Sequence, residues 1–276
     1  MFIRGSVKLN GLKTAGGKLR SVVKRNKKNV AAGFMLLLLA GIAYAAPRAV
    51  VDVANNAAVS AKELPIYCVD RDDKVVALTF DAAWGNEDTQ KILDILDKHN
   101  VKVTFFATGG WVETYPDDVK KIIEAGHAFG NHSENHKFMT RLTDEQKKQE
   151  LMKVHDKVKA LTGYEMCLFR PPYGDYNDAV VKVADSLGYY TIQWSVDSLD
   201  WKDYGVDSIV RTVTQHKSLD SGAIILMHNG AKYTADALDS IITSLEEQGY
   251  SFVTVAELIH TGKYHMDHTG KQIADE

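Results

Sequence analysis

Between residues 65 and 260, short apolar runs alternate with longer segments of helical spacing, and this alternation constrains the fold more than any other feature of the 276-residue chain. The runs at 75–80 (VVALTF), 101–108 (VKVTFFAT), 127–132 (HAFGNH), 167–170 (CLFR), 189–196 (YYTIQWSV), 222–228 (GAIILMH) and 251–255 (SFVTV) are short enough for buried strands. Segments 87–100, 116–126, 142–163, 178–188, 206–217 and 235–249 lie between them and read as helices. Thr143 followed by Gln146 reads as a capping box, Gly163 closes that helix, and Asp88 is expected to cap 87–100. Seven strands alternating with six helices predict an α/β fold, a parallel sheet with helices outside it. An open doubly wound sheet and a closed (β/α) barrel both satisfy the pattern. A dinucleotide-type open sheet calls for a glycine-rich loop after the first strand. The stretch DAAWGN (81–86) holds one glycine, which points to the barrel.

In a parallel barrel every strand ends on the same face, so residues distant in sequence converge there. Asp81 follows the first strand, and with Asp88 assigned to capping it is free for chemistry. His132 and His136, in HSENH, follow the third strand; at i and i+4 they can meet on one side of a helical turn and share a cation. Arg170 ends the fourth strand and enters PPYG, a turn stiffened by two prolines that can aim the Tyr173 N–H into the mouth. Asp197, Asp200 and Trp201 follow the fifth strand. His228 ends the sixth, where an imidazole facing Asp200 would make a tuned general acid. The histidines of HTGKYHMDH (260–268) read instead as part of a solvated polar tail over 261–276.

The charge is split along the chain. Residues 1–28 hold nine Lys and Arg and no acid, whereas residues 29–276 hold all 36 acids against the other 24 basic residues (33 less 9). A basic head on an acidic body argues against nucleic acid as a partner. The head precedes an uncharged run, VAAGFMLLLLAGIAYAA (30–46), which with KRNKK before it has the pattern of an exported or anchored chain. Residues 29–46 are a membrane anchor or a signal segment cleaved after Ala45, residues 1–28 a cytoplasmic head, and residues 47–64 a linker. Either reading puts the folded part at the outer face of the cell membrane or beyond it. Cys68 and Cys167 could bridge in such a compartment or remain two thiols.

Taken in order, TFDAAWG (79–85), HSENH (132–136), RPPYG (170–174), DSLDW (197–201) and LMH (226–228) resemble the five motifs of the polysaccharide deacetylases, the carbohydrate esterase family 4 or NodB-homology group. The resemblance covers residues 65–260. The N-terminal segment and the FDxxWG form of the first motif resemble the membrane-anchored, sporulation-type cell-wall deacetylases of Gram-positive bacteria. It implies a distorted barrel of about seven strands that removes N-acetyl groups from an extracellular amino-sugar polymer, peptidoglycan, with a divalent metal, usually zinc. It implies Asp81 as general base, His228 as general acid, His132 and His136 as metal ligands, and Arg170 and Asp200 as their support. Tyr173, Trp201 and Leu226 would then contact the substrate. One position departs from the pattern. The family carries a second, metal-binding Asp after the base, and this chain has Ala82. A water can fill that place, another oxygen such as that of Asp81 can move in, or the metal is lost and the chain binds cell-wall glycan without turning it over.

Overall fold

The computed structural model describes residues 62–275. The expected head, membrane segment and most of the linker lie outside them. Among the described residues no helix is long and apolar enough to cross a membrane.

The centre of the fold is strand β2 (Val75–Ala82), all eight residues of which are buried. Apolar cover on both faces is what its near-continuous hydrophobic run requires. Val76, Leu78, Phe80 and Ala82 pack with the helices, while Val75 and Ala77 join a second cluster on the opposite face. The period of two therefore sends Thr79 and Asp81 to the inner side. Strands β3 (Thr104–Ala107), β4 (Ala128–Asn131), β5 (Leu168–Phe169) and β6 (Tyr190–Thr191) extend the sheet on one side of β2, each parallel to its neighbour. On the other side β8 (Ala223–Asn229) pairs with β2 in parallel over seven positions, Asp81 opposite His228. Helices α1 (Thr89–Lys98), α3 (Pro116–Glu124), α4 (Asp144–Thr162), α5 (Asp178–Ser186), α6 (Val206–Thr214) and α7 (Thr234–Glu247) follow the strands in the expected order. The Thr143–Gln146 capping box and the left-handed Gly163 cap of α4 are both present. The result is a curled α/β half-barrel of mostly parallel strands.

Several local expectations are corrected. The expected fifth strand, 189–196, is broken: β6 pairs with β5, whereas β7 (Val196–Asp197) pairs with β8. The segment changes partners as the sheet curls, and Ile192 bridges Ile66 between the two pairings. The seventh strand, β9, is only Ser251–Phe252, because Thr254 and Glu257 form a capping box that starts α8 (Val255–Leu258). A helix the periodicity missed, α2 (Gly109–Thr114), is too short for an amphipathic pattern and starts where the Thr108 side chain accepts from the Trp111 N–H. Of the expected polar tail, residues 261–275 are not free. Strands β10 (Tyr264–Met266) and β11 (Lys271–Ala274) form a hairpin, and β11 pairs with β1 (Cys68–Val69). Cys68 and Cys167 are both free thiols.

Candidate active site

The ends of β2, β4, β5, β7 and β8 surround a cavity of about 410 Å³. Asp81, His132, His136, Tyr173, Trp201, Leu226 and His228 line it, together with Ala83, Trp84, Trp194 and Asp197. The two supporting residues named from sequence, Arg170 and Asp200, stand behind this lining, each fully buried. All nine residues singled out in the sequence are therefore brought to one place.

Asp81 is held from one side. Arg170 donates from Nη1 to Asp81 Oδ1 at 2.7 Å and to Thr79 Oγ1 at 2.8 Å, and from Nη2 to the Gln193 carbonyl at 3.2 Å. The guanidinium also lies over the Phe106 ring, 4.2 Å from its centroid. Burial pushes the Asp81 carboxyl up, but Arg170, with His132 and His228, outweighs it and leaves the carboxyl below the ordinary range. Its other oxygen, Oδ2, stands 3.6 Å from His132 Nε2.

The two histidines meet by a different local structure from the expected helical turn. Residues 132–136 form a loop with Ser133 and His136 at positive φ, 63° and 51°. Such backbone is strained for non-glycine residues and needs outside support. The buried Glu150 of α4 supplies it, accepting from the Asn135 N–H at 2.8 Å, Asn135 Nδ2 at 2.9 Å and Lys137 Nζ at 2.8 Å. His132 Nδ1 lies 2.8 Å from the Arg170 carbonyl. A carbonyl only accepts, so Nδ1 carries the proton and Nε2 presents its lone pair toward Asp81 and the cavity. Burial lowers the His132 pKa to about 4, so the ring is neutral near pH 7. The His136 ring sits 4.9 Å from that of His132.

These residues suit a divalent cation only in part. Two imidazoles, one with its tautomer set for ligation, are a fitting pair of ligands. Among the described residues, no group of three or more His, Cys, Asp or Glu is arranged to hold a metal. The methyl group of Ala82 is fully buried in the outer core cluster and does not line the cavity.

On the opposite side, Asp200 accepts from the His228 N–H and Nδ1, both at 2.7 Å, and from Thr234 Oγ1 at 2.6 Å. Burial pushes the His228 pKa down, but the Asp200 carboxylate overcomes it and holds it above the ordinary imidazole value. With Nδ1 engaged, Nε2 is the nitrogen left for the cavity. The arrangement can hold a carboxylate without its proton and an imidazole with one, a base and an acid in a single mouth.

Sequence reasoning missed four contributors. Trp84 stacks on His228 with ring centroids 5.7 Å apart and an interplanar angle of 19°. The Trp84 carbonyl lies where a Cβ on Gly230 would come within 2.7 Å, so that glycine permits the approach. Asp88 does not cap α1 through its side chain; its Oδ1 accepts from the Gly230 N–H at 2.8 Å and ties the loop after β8 to the loop after β2. Gln193 and Trp194 occupy the break in the expected fifth strand, which only the changed pairing reveals. The aromatic after the first-motif acid was the one available signal.

Comparison with known proteins agrees with this geometry. The family model for polysaccharide deacetylase matches residues 69–192. Over 201 residues the chain is 38% identical to the peptidoglycan-N-acetylmuramic acid deacetylase PdaA of Bacillus subtilis, covering 70% of this chain and 74% of that protein. It also resembles the solved structure of a CE4 family pseudoenzyme from Bacillus anthracis, with 39% identity and a TM-score of 0.68 over 75% of this chain and 69% of that one. A mutant of that pseudoenzyme with restored enzymatic activity matches at 40% identity, with the same TM-score, over 75% of this chain and 72% of the other. The chain belongs to the polysaccharide deacetylase family.

Proposed function

We propose that this protein hydrolyses the N-acetyl group of an extracellular amino-sugar polymer, peptidoglycan being the substrate of its relative PdaA. One observation carries the reading. Asp81 and His228 are direct partners on adjacent parallel strands, and each has a buried counter-charge that holds it in the protonation state amide hydrolysis needs. An amide resists hydrolysis because its carbonyl is a poor electrophile and its amine a poor leaving group. Asp81, kept anionic by Arg170, takes a proton from the attacking water through Oδ2, and the water oxygen bonds to the acetyl carbon. The Tyr173 N–H donates to the oxyanion that develops. His228, kept protonated by Asp200, gives its Nε2 proton to the sugar nitrogen as the C–N bond breaks, releasing acetate and a free amine. Leu226 and Trp201 wall the pocket for the acetyl methyl. His132 and His136 would hold a divalent cation, read as zinc, which when bound polarises the acetyl carbonyl and lowers the pKa of water.

A second reading follows from Ala82 and from the likeness to a pseudoenzyme: a glycan-binding protein with weak or no turnover. The intact acid–base pair favours the enzyme. The uncharged run at 30–46 behind a basic flank supports a domain outside the cytoplasm, anchored or released, where peptidoglycan lies. The test is mass spectrometry of purified peptidoglycan after incubation with the wild type and with Asp81→Asn. Free amines appearing with the wild type alone uphold the enzyme. Unchanged glycan that nonetheless retains the protein in a pull-down upholds the binding reading.

A further inference from the structure

A polar chain behind the site takes part in no step of the proposed hydrolysis. It starts at Ser133, between the two histidines read as ligands, and ends at the surface. The Ser133 N–H donates to Asn131 Oδ1 at 2.9 Å. Asn131 Nδ2 donates to the Leu151 carbonyl of α4 at 2.8 Å and to Tyr189 Oη at 3.3 Å. Tyr189 Oη lies 2.7 Å from His155 Nδ1, and His155 Nε2 lies 3.0 Å from Glu165 Oε2. Ser133, Asn131 and Tyr189 are buried, whereas Glu165 is exposed and paired with Lys159.

Each proton of this chain has one place. Both Asn131 amide hydrogens are spent as donors, which leaves Oδ1 to accept. Tyr189 Oη accepts from Asn131, so its own hydrogen points to His155 Nδ1. Burial pushes the Tyr189 phenol up to about 12, so that hydrogen stays in place near neutral pH. His155 Nδ1 then accepts, and Nε2 donates onto a carboxylate that can only accept. The four bonds from Ser133 to Glu165 run in one direction, so each polarises the next.

The chain ends on a segment that needs support. Ser133 has positive φ, a conformation its own backbone does not favour. Helix α4 grips the later part of the loop, where Glu150 accepts from Asn135 and Lys157 Nζ donates to Glu134 Oε1 at 2.6 Å. Asn131 grips the first part, and it directly precedes His132 in the chain. An Asn131 amide free to turn would release Ser133 and shift the backbone that carries His132.

We infer that Tyr189 is a positioning residue for the His132–His136 pair: it fixes the Asn131 amide that pins Ser133, and it is itself fixed by His155 with Glu165 at the surface. The inference rests on the reading of these histidines as ligands and deepens the proposed function.

The test reads the loop without turnover. Amide hydrogen exchange of the full chain is followed over residues 131–136 and, for reference, over β2. Zn²⁺ affinity is measured by competition with a chromophoric chelator. Tyr189→Phe keeps the ring and removes the hydroxyl. It speeds exchange over 131–136 while β2 is unchanged, and it weakens Zn²⁺ binding by roughly tenfold. His155→Leu strands the Tyr189 hydroxyl and acts in the same direction. His155→Asn, whose Oδ1 can take that hydrogen, restores exchange and affinity toward the wild type. Exchange over 131–136 that Tyr189→Phe leaves unchanged, or that rises equally in β2, overturns the inference. So does a Zn²⁺ affinity that neither Tyr189→Phe nor His155→Leu alters, or a His155→Asn protein that behaves as His155→Leu. Acetate release is recorded alongside. The predicted pattern in a protein that releases no acetate upholds the positioning role, and the enzymatic reading alone then fails.

Discussion

Replacing Asp200 with Asn separates the acid role of His228 from simple packing. The side chain keeps its shape, but one of the oxygens that now accept from the His228 N–H, His228 Nδ1 and Thr234 becomes a donor. Losing a charge-assisted bond to a buried group costs about 1.5–3 kcal/mol in stability. The effect on protonation is larger in consequence. Asp200 is what raises the His228 pKa against its burial. Without it, burial is opposed only by the charges of Asp81 and Asp197, and the imidazole pKa falls. A raised pKa keeps the acid protonated to higher pH, so wild-type kcat/KM falls only as pH climbs past the ordinary imidazole range. In Asp200→Asn the same fall begins at lower pH. At pH 7 the rate drops by up to about 10²–10⁴, the usual contribution of a general acid, and part of it returns at lower pH. The assay is acetate release across pH for both proteins. An alkaline limb that stays in place, or a loss equal at every pH, would refute the assignment of His228 as the acid tuned by Asp200.

Three further outcomes follow from the same geometry. Ala82→Asp puts a carboxylate into a fully buried position in the outer core cluster, so the metal-free protein melts lower than the wild type; an unchanged Tm would show that the strand end turns residue 82 out of that core. Arg170→Met strands the Asp81 carboxylate in the interior, costing about 3–5 kcal/mol in denaturant unfolding and moving the acid limb of the rate profile upward. His127, buried and held to a pKa of about 4, accepts from the Val103 N–H, so stability falls as pH drops from about 6.5 toward 4, by about 3 kcal/mol for this residue, and His127→Gln flattens that slope.

The alternation of strand and helix was legible because β2 and β8 are buried on both faces and so leave continuous apolar runs. The site was legible because parallel strands carry their final residues to one face, which is where Asp81, Arg170 and His228 stand. The sequence could not show what depends on pairing partners. The 189–196 run has uniform strand character, yet it changes neighbours midway, and Gln193 and Trp194 reach the site through that break. The polar composition of 261–276 hid a hairpin whose stability comes from β1, far away in sequence. The HSENH spacing matched a helical turn, but the two rings are brought together by positive-φ residues that Glu150 supports from α4. Asp88 does stand at the N-cap of α1, but local spacing cannot reveal that its carboxylate is engaged by Gly230.

The most direct measurement is the initial rate of acetate release from N-acetylated peptidoglycan as Zn²⁺ is titrated into chelator-treated protein, with Asp81→Asn in parallel. The account predicts a rate that rises with Zn²⁺ and saturates weakly, as two imidazoles without the usual third protein ligand would give, and no release by Asp81→Asn at any concentration. A wild type that releases no acetate across the whole titration would contradict it, and the acid–base pair would then be the remnant of a lost activity in a glycan-binding protein.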